Sequence, residues 1–127
     1  MSHGPVKKFL NAIEPLIWGP FVTGNFLTPL FFPAIILMLC IAAPLGWLPE
    51  GALSYERAHA LATNPIVVVG ILALIPLALL AGSHHLRFGI IDVASAEHDG
   101  PVALTLYGLW QLGAVVTAIA ILRIFFD

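Results

Sequence analysis

Three long apolar stretches dominate the sequence, and charged side chains are confined to the short segments between them. No Asp, Glu, Lys or Arg occurs in residues 15–49, 58–86 or 100–122. About 20 apolar residues in a helix cross a hydrocarbon core of about 30 Å, so each stretch is long enough to span a bilayer. Lipid offers no water to backbone groups, so the spans should be helical. The pattern predicts an all-α integral membrane bundle of three transmembrane helices.

The predicted spans cover approximately residues 21–45, 65–83 and 102–122, within a single membrane-anchor domain of residues 1–127. Residues 1–20 precede the first span and mix polar and apolar positions, which is typical of a short interfacial segment on the membrane surface. Pro15, Gly19 and Pro20 should separate that segment from the first span.

The connection after the first span should contain a short outer-loop helix. Ser54 can cap it at its start, and it should extend to about Ala62. Asn64 and Pro65 should then end that helix and open the second span. Residues 84–101 are predicted to form a polar connection to the third span.

Composition supports the membrane assignment and excludes several functions. Charged residues make up 9% of the 127 residues and hydrophobic residues 60%, whereas an average soluble domain is roughly 25% charged. The net charge of −2 and the absence of a basic run argue against nucleic-acid binding. Cys40 is the only cysteine, so the chain can form no internal disulfide and no cysteine-ligated cluster.

Positive charges favour one orientation of the three spans. Lys7, Lys8 and Arg87 fall on the side of the N-terminus, against Arg57 and Arg123 on the other side. The positive-inside rule therefore predicts a cytoplasmic N-terminus, by three charges to two.

The richest polar constellation lies at and beyond the end of the second predicted span, and it comprises His84, His85, Arg87 and Asp92. A membrane quinone needs hydrogen-bond donors for its carbonyl oxygens and a route for protons. Histidine can supply both near neutral pH, and Arg87 could stabilise negative charge on a ring oxygen. The alternative is that these residues simply lie among lipid headgroups.

Trp18 is a second candidate, because its indole offers an N–H donor and an apolar wall at the same predicted membrane face. Its alternative role is an interfacial anchor. The main competing use of the histidines is ligation of a b-type haem, which needs two imidazoles facing one iron. His84 and His85 are adjacent and point apart, so either could serve only if another chain supplied the second ligand.

Several segments together resemble a known family. Residues 14–21 read Glu-Pro-Leu-Ile-Trp-Gly-Pro-Phe, residues 52–57 read Ala-Leu-Ser-Tyr-Glu-Arg, and residues 107–109 read Tyr-Gly-Leu. Their order and spacing resemble the D-type membrane-anchor subunit of quinol:fumarate reductase, a member of the complex II family. The resemblance covers nearly the whole chain, including its length and its three spans.

The resemblance implies a complex of four subunits in the bacterial cytoplasmic (inner) membrane, in fumarate reductase or succinate dehydrogenase. This chain and a C-type membrane-anchor subunit would hold an iron–sulfur subunit and a flavoprotein subunit at the bilayer and help form a quinone site for menaquinone or ubiquinone. The family's site tryptophan and histidine match Trp18 and, most naturally, His84. His85 and Arg87 complete the predicted quinone-binding set.

Such a chain would be a non-catalytic subunit, since it carries neither a cysteine set for a cluster nor a nucleotide fingerprint for flavin. As part of a fumarate reductase it would serve electron transport in anaerobic respiration. Two alternatives stay open at the level of sequence. One is a purely structural module that tethers partners without a quinone site, and the other is an anchor subunit that binds haem b.

Overall fold

The computed structural model describes residues 4–127, so the first three residues of the predicted interfacial segment lie outside the described part of the chain. Helix α1 runs over Pro5–Ile36 and continues as a π-helical stretch, Leu37–Ala42. The other helices are α2 (Tyr55–Ala62), α3 (Pro65–Ala94) and α4 (Asp99–Phe126). Within residues 4–127, three helical segments are long and apolar enough to cross a membrane, which confirms the predicted all-α membrane fold.

Helix α1 is continuous through Pro15 and Pro20, so the expected break between a surface helix and the first span is wrong. Each internal proline removes one backbone hydrogen bond and crowds the preceding turn. In a bilayer, however, an unwound segment would expose several more unsatisfied backbone groups, and keeping the helix costs less. The N-terminal segment and the first span therefore form one long helix.

The connection between α1 and α3 follows the predicted local chemistry. Gly46 and Gly51 adopt positive φ angles of 69° and 73°, which suit glycine in tight turns. The Ser54 hydroxyl accepts a hydrogen bond from the Arg57 backbone N–H and caps α2. The Asn64 side chain accepts from the first backbone N–H groups of α3, so the predicted start of that helix is confirmed.

Helix α3 extends beyond the predicted span, to Ala94, so the polar residues after position 83 are helical rather than part of a loop. The chain then reverses sharply at Ser95, whose φ of 135° is unusual for a residue with a side chain. A short 3-10 turn, Ala96–His98, leads directly into α4. This reversal returns the start of α4 to the last turns of α3.

Helix α3 is the central element of the bundle, since it packs extensively against both α4 and α1, while α1 and α4 barely touch. The small buried core contains Leu10 and Ile17 of α1, Leu80 of α3, and Ala103 and Tyr107 of α4. The Trp110 indole N–H donates to the Pro76 carbonyl oxygen at 2.8 Å and further ties α4 to α3.

Gly24 allows α1 to approach α3 closely. A Cβ atom placed on Gly24 would overlap the backbone carbonyl of Leu77 and press on the side chain of Ala81. Small residues at helix interfaces allow such close backbone approach in membranes.

We expect Gly24→Ala to destabilise the chain by about 1–3 kcal/mol, because the added methyl group must push α1 away from α3. Gly82→Ala is the matched control, since a Cβ on Gly82 meets nothing within 4 Å. Thermal unfolding in detergent measures both variants. Equal midpoints for the two would contradict the assigned packing.

Candidate functional site

The buried faces of α3 and α4 change from apolar to polar at one end of the bundle, where α1 and α4 begin and α3 ends. We call this the N-terminal end. On α3, Leu80 is followed by the buried His84 and Arg87 at helical spacing. On α4, Tyr107 and Ala103 are buried, and Asp99 lies one turn before Ala103. The two stripes meet and form a polar cluster between the helices.

An ion pair between Arg87 and Asp99 lies at the base of this cluster. The Arg87 Nε donates to Asp99 Oδ1 at 2.6 Å, and its Nη2 donates to Oδ2 at 2.8 Å. Only 8% of the Arg87 side chain and 29% of the Asp99 side chain are exposed. The two parallel bonds fix the guanidinium plane and link the end of α3 to the first turn of α4.

Tyr107 connects this ion pair to a histidine. Its hydroxyl oxygen accepts a hydrogen bond from Arg87 Nη1 at 3.1 Å and lies 2.7 Å from His84 Nδ1. Asp99, Arg87, Tyr107 and His84 thus form one continuous hydrogen-bonded chain. Polar groups at membrane depth are costly unless satisfied, and this chain satisfies the guanidinium and the carboxylate from within the protein itself.

Both predicted histidines also contact α1. The Phe21 ring centroid lies 4.1 Å from that of His84 and 5.3 Å from that of His85. His85 is exposed, and its Nε2 donates to Asn25 Oδ1 at 2.9 Å. The histidines therefore lie at the seam between α1 and α3, where His84 faces the core and His85 faces the surface.

Trp18 lies one helical turn before Phe21 on α1, and 62% of it is exposed. Because Phe21 contacts His84, Trp18 is at the same end of the bundle as the histidines. The structure thus brings Trp18, His84 and His85 to one end of the α1–α3 seam. It places Arg87 behind them, in the ion pair, and leaves Asp92 exposed near the end of α3.

No group of three or more His, Cys, Asp or Glu side chains in residues 4–127 is arranged to hold a metal ion. This observation does not bear on haem, which one histidine of this chain could ligate together with a residue of another. The Nδ1 of His84 is engaged with Tyr107, which leaves Nε2 as the ring nitrogen that faces any further partner. Haem ligation stays a prediction.

Sequence reasoning missed Asp99 and Tyr107. Asp99 falls within the predicted polar connection, next to Glu97 and His98. Tyr107 falls within the third predicted span, where it was noted only as part of the family resemblance. A signal was present in their spacing: Asp99, Ala103 and Tyr107 recur at intervals of four residues, which places them along one side of a helix. That face is the one that α4 buries.

We expect Asp99→Asn to lower stability by about 1–3 kcal/mol, because it leaves the buried Arg87 guanidinium without its counter-charge. The expected loss is below that for a fully buried pair because Asp99 is partly solvated. Glu97→Gln removes the same charge two residues earlier, from a side chain that is 79% exposed, and serves as the control. Thermal unfolding of the two variants compares them, and a loss equal to that of the control would show that the ion pair does not support the fold.

Comparison with known proteins gives a consistent match over nearly the whole chain. Residues 10–122 match the family model described as the D subunit of fumarate reductase. The chain is 33% identical over 115 residues to the fumarate reductase D subunit of Mycobacterium tuberculosis (strain ATCC 25618 / H37Rv), covering 89% of this chain and 90% of the relative. It is 30% identical over 112 residues to the corresponding protein of Vibrio parahaemolyticus, covering 88% of this chain and 86% of the relative.

A third relative, the fumarate reductase D subunit of Photobacterium profundum, is 32% identical over 112 residues, covering 88% of this chain and 90% of the relative. The matched segment includes most of all three membrane-spanning helices and the polar cluster at their N-terminal end. The resemblance stated from the sequence is thereby confirmed, and the chain belongs to the family of fumarate reductase D subunits, whose members are membrane-anchor subunits of that complex.

Proposed function

We propose that this membrane-anchor subunit supplies one wall of a quinone site at the N-terminal end of its bundle, and that this end faces the cytoplasm of a bacterial inner membrane. The observation that carries the proposal is the meeting of Trp18, Phe21, His84 and His85 at one end of the α1–α3 seam. The site would pass electrons between a membrane quinol and an iron–sulfur subunit.

The depth of the histidines supports this role. His84 is nineteen residues after Pro65, the first residue of α3, which corresponds to about 29 Å along the helix. That distance matches the thickness of the hydrocarbon core, so with Pro65 at one edge of the core His84 would lie at the other. A quinone headgroup at this depth can keep its isoprenoid tail in lipid while its ring approaches a docked partner.

The side chains supply the chemistry that a quinone ring requires. The imidazole of His84 can donate a hydrogen bond to a carbonyl oxygen of the ring, and His85 can do so if its Nε2–H exchanges Asn25 for the quinone. Phe21 and Trp18 offer aromatic surface for the faces of the ring. Oxidation of one quinol releases two electrons and two protons. The electrons would pass to the iron–sulfur subunit and then to the flavoprotein subunit, where fumarate is reduced to succinate.

The exposed side of this wall indicates that other subunits complete the site. Trp18 and His85 are both exposed, whereas His84 is covered. A C-type membrane-anchor subunit beside the α1–α3 seam and an iron–sulfur subunit above it would close the site. Menaquinone or ubiquinone would serve as the substrate, in anaerobic respiration when the complex reduces fumarate.

Arg87 stands apart from the other proposed contacts. Its Nε, Nη1 and Nη2 all donate to Asp99 or Tyr107. Arg87 therefore holds the neighbouring side chains in place. A direct hydrogen bond from Arg87 to the quinone stays a prediction, and it would need one of the remaining N–H groups of the guanidinium.

We expect Trp18→Ala and His84→Ala each to slow quinol-linked fumarate reduction by about 10-fold or more in the purified complex, while fumarate reduction by an artificial dye keeps its rate. The reason is that both lose contacts to the quinone and neither touches the fumarate site. Trp47→Ala and His59→Ala are matched controls, because they remove the same side chains from the opposite end of the bundle.

Equal loss of the quinol-linked and dye-linked activities would indicate a purely structural tethering role instead. Unchanged quinol-linked activity in both variants would reject the site. A reduced-minus-oxidised spectrum of the same complex decides whether haem b is present, and loss of its bands in His84→Ala or His85→Ala would identify the ligand.

The proposed orientation predicts which residues a membrane-impermeant thiol reagent can reach. In a Cys40→Ser background, Glu56→Cys on α2 should be labelled in intact spheroplasts. Glu97→Cys, between α3 and α4, should be labelled only after the membrane is opened and the chain is denatured in detergent. The reverse pattern would place the N-terminus outside the cytoplasm.

A further inference from the structure

We propose that Tyr107, held by the Arg87–Asp99 ion pair, fixes His84 in the tautomer that carries its proton on Nε2. The proposal rests on the proposed quinone site and deepens it, since it makes Tyr107, Arg87 and Asp99 positioning residues. It also defines the ligand chemistry at His84: the ring presents a donor, so the ligand must present an acceptor oxygen.

The direction of each hydrogen bond follows from what the groups can donate. A guanidinium has only N–H donors and no acceptor, so Arg87 must donate to the Tyr107 oxygen. The hydroxyl of Tyr107 has a single proton, and its other near neighbour is His84 Nδ1, at 2.7 Å. Tyr107 therefore donates to Nδ1, because its hydroxyl has no other hydrogen-bond partner than Arg87 and His84 among residues 4–127.

A neutral imidazole that accepts at Nδ1 must carry its proton on Nε2. Nε2 has no hydrogen-bond partner among the described residues. In that part of the chain, Thr28 Oγ1 is the only fully buried side-chain N or O atom that lacks a partner, so Nε2 is not fully buried. The nitrogen is therefore reachable from the surface. In this state His84 can donate to a carbonyl oxygen without first changing its tautomer.

The ion pair determines where Arg87 points. Two of its N–H groups are engaged by the two oxygens of Asp99, and this bidentate contact aims Nη1 at the Tyr107 oxygen. Without Asp99, the guanidinium could rotate away and the Tyr107 hydroxyl could turn its proton elsewhere. Asp99 thus influences the outer nitrogen of His84 through two intermediate side chains.

Tyr107→Phe in the purified complex provides the first test. It removes the hydroxyl and keeps the ring. We expect the KM for menadiol, and the KM for menadione in the reverse reaction with succinate, to rise about 3- to 10-fold. The reason is that His84 is no longer fixed in the tautomer that donates from Nε2, which weakens one hydrogen bond to the ligand. Dye-linked fumarate reduction should not change. Tyr55→Phe removes the same hydroxyl from α2 at the other end of the bundle and is the control.

A double-mutant cycle distinguishes this role from a general loss of stability. Asp99→Asn alone should raise the same KM, but it should have no further effect when added to Tyr107→Phe, because Asp99 acts through the Tyr107 hydroxyl. Independent losses that multiply in the double variant would overturn the proposal. So would a KM for Tyr107→Phe equal to that of the wild type.

Histidine ¹⁵N magnetic resonance of the labelled complex reads the tautomer directly, with the His84 signals assigned by their loss in His84→Gln. We expect a protonated Nε2 and an unprotonated Nδ1 in the wild type, and a mixture of tautomers in Tyr107→Phe. A protonated Nδ1 in the wild type would overturn the proposal. Impaired quinol oxidation in His84→Gln combined with normal kinetics in Tyr107→Phe would reject only the positioning of His84 by Tyr107. Normal kinetics in both variants would reject the quinone site as well.

Discussion

The bidentate ion pair between Arg87 and Asp99 is the interaction on which the N-terminal end of this bundle depends. It joins the end of α3 to the first turn of α4, across a chain reversal made at Ser95. A membrane helix could not keep an unpaired guanidinium in this position at low cost. Since Tyr107 and His84 are bonded in series to the same pair, the ion pair also orders the side chains that face the proposed ligand.

The α1–α3 seam is held by close apolar packing rather than by an ion pair. Gly24 lets the two backbones approach closely, and one turn nearer the N-terminal end Phe21 packs against both histidines. The seam is tight at its centre and open at that end, where Trp18 and His85 are exposed. This arrangement suits the proposed wall of a quinone site, because rigid packing positions the wall while its outer side remains available to partners.

The sequence was sufficient for the number of membrane-spanning helices, for the caps at Ser54 and Asn64, and for the place where polar side chains gather, because these follow from local composition and hydrogen bonding. It was not sufficient for α1, whose prolines suggested a break that the absence of water in the bilayer prevents. It also failed to identify Asp99 as the partner of Arg87. Three polar residues in a row looked equivalent, and only the tight turn at Ser95 decides which of them returns to α3.

The position of the two charges on different helices has a consequence for biogenesis. Helix α3 leaves the ribosome before α4, so Arg87 reaches the insertion machinery before Asp99 has been delivered. Insertion of α3 alone would place a lone cation at the bilayer edge, whereas insertion of the two helices as a hairpin would present a neutral pair. The order of synthesis thus favours α3 and α4 entering the membrane together.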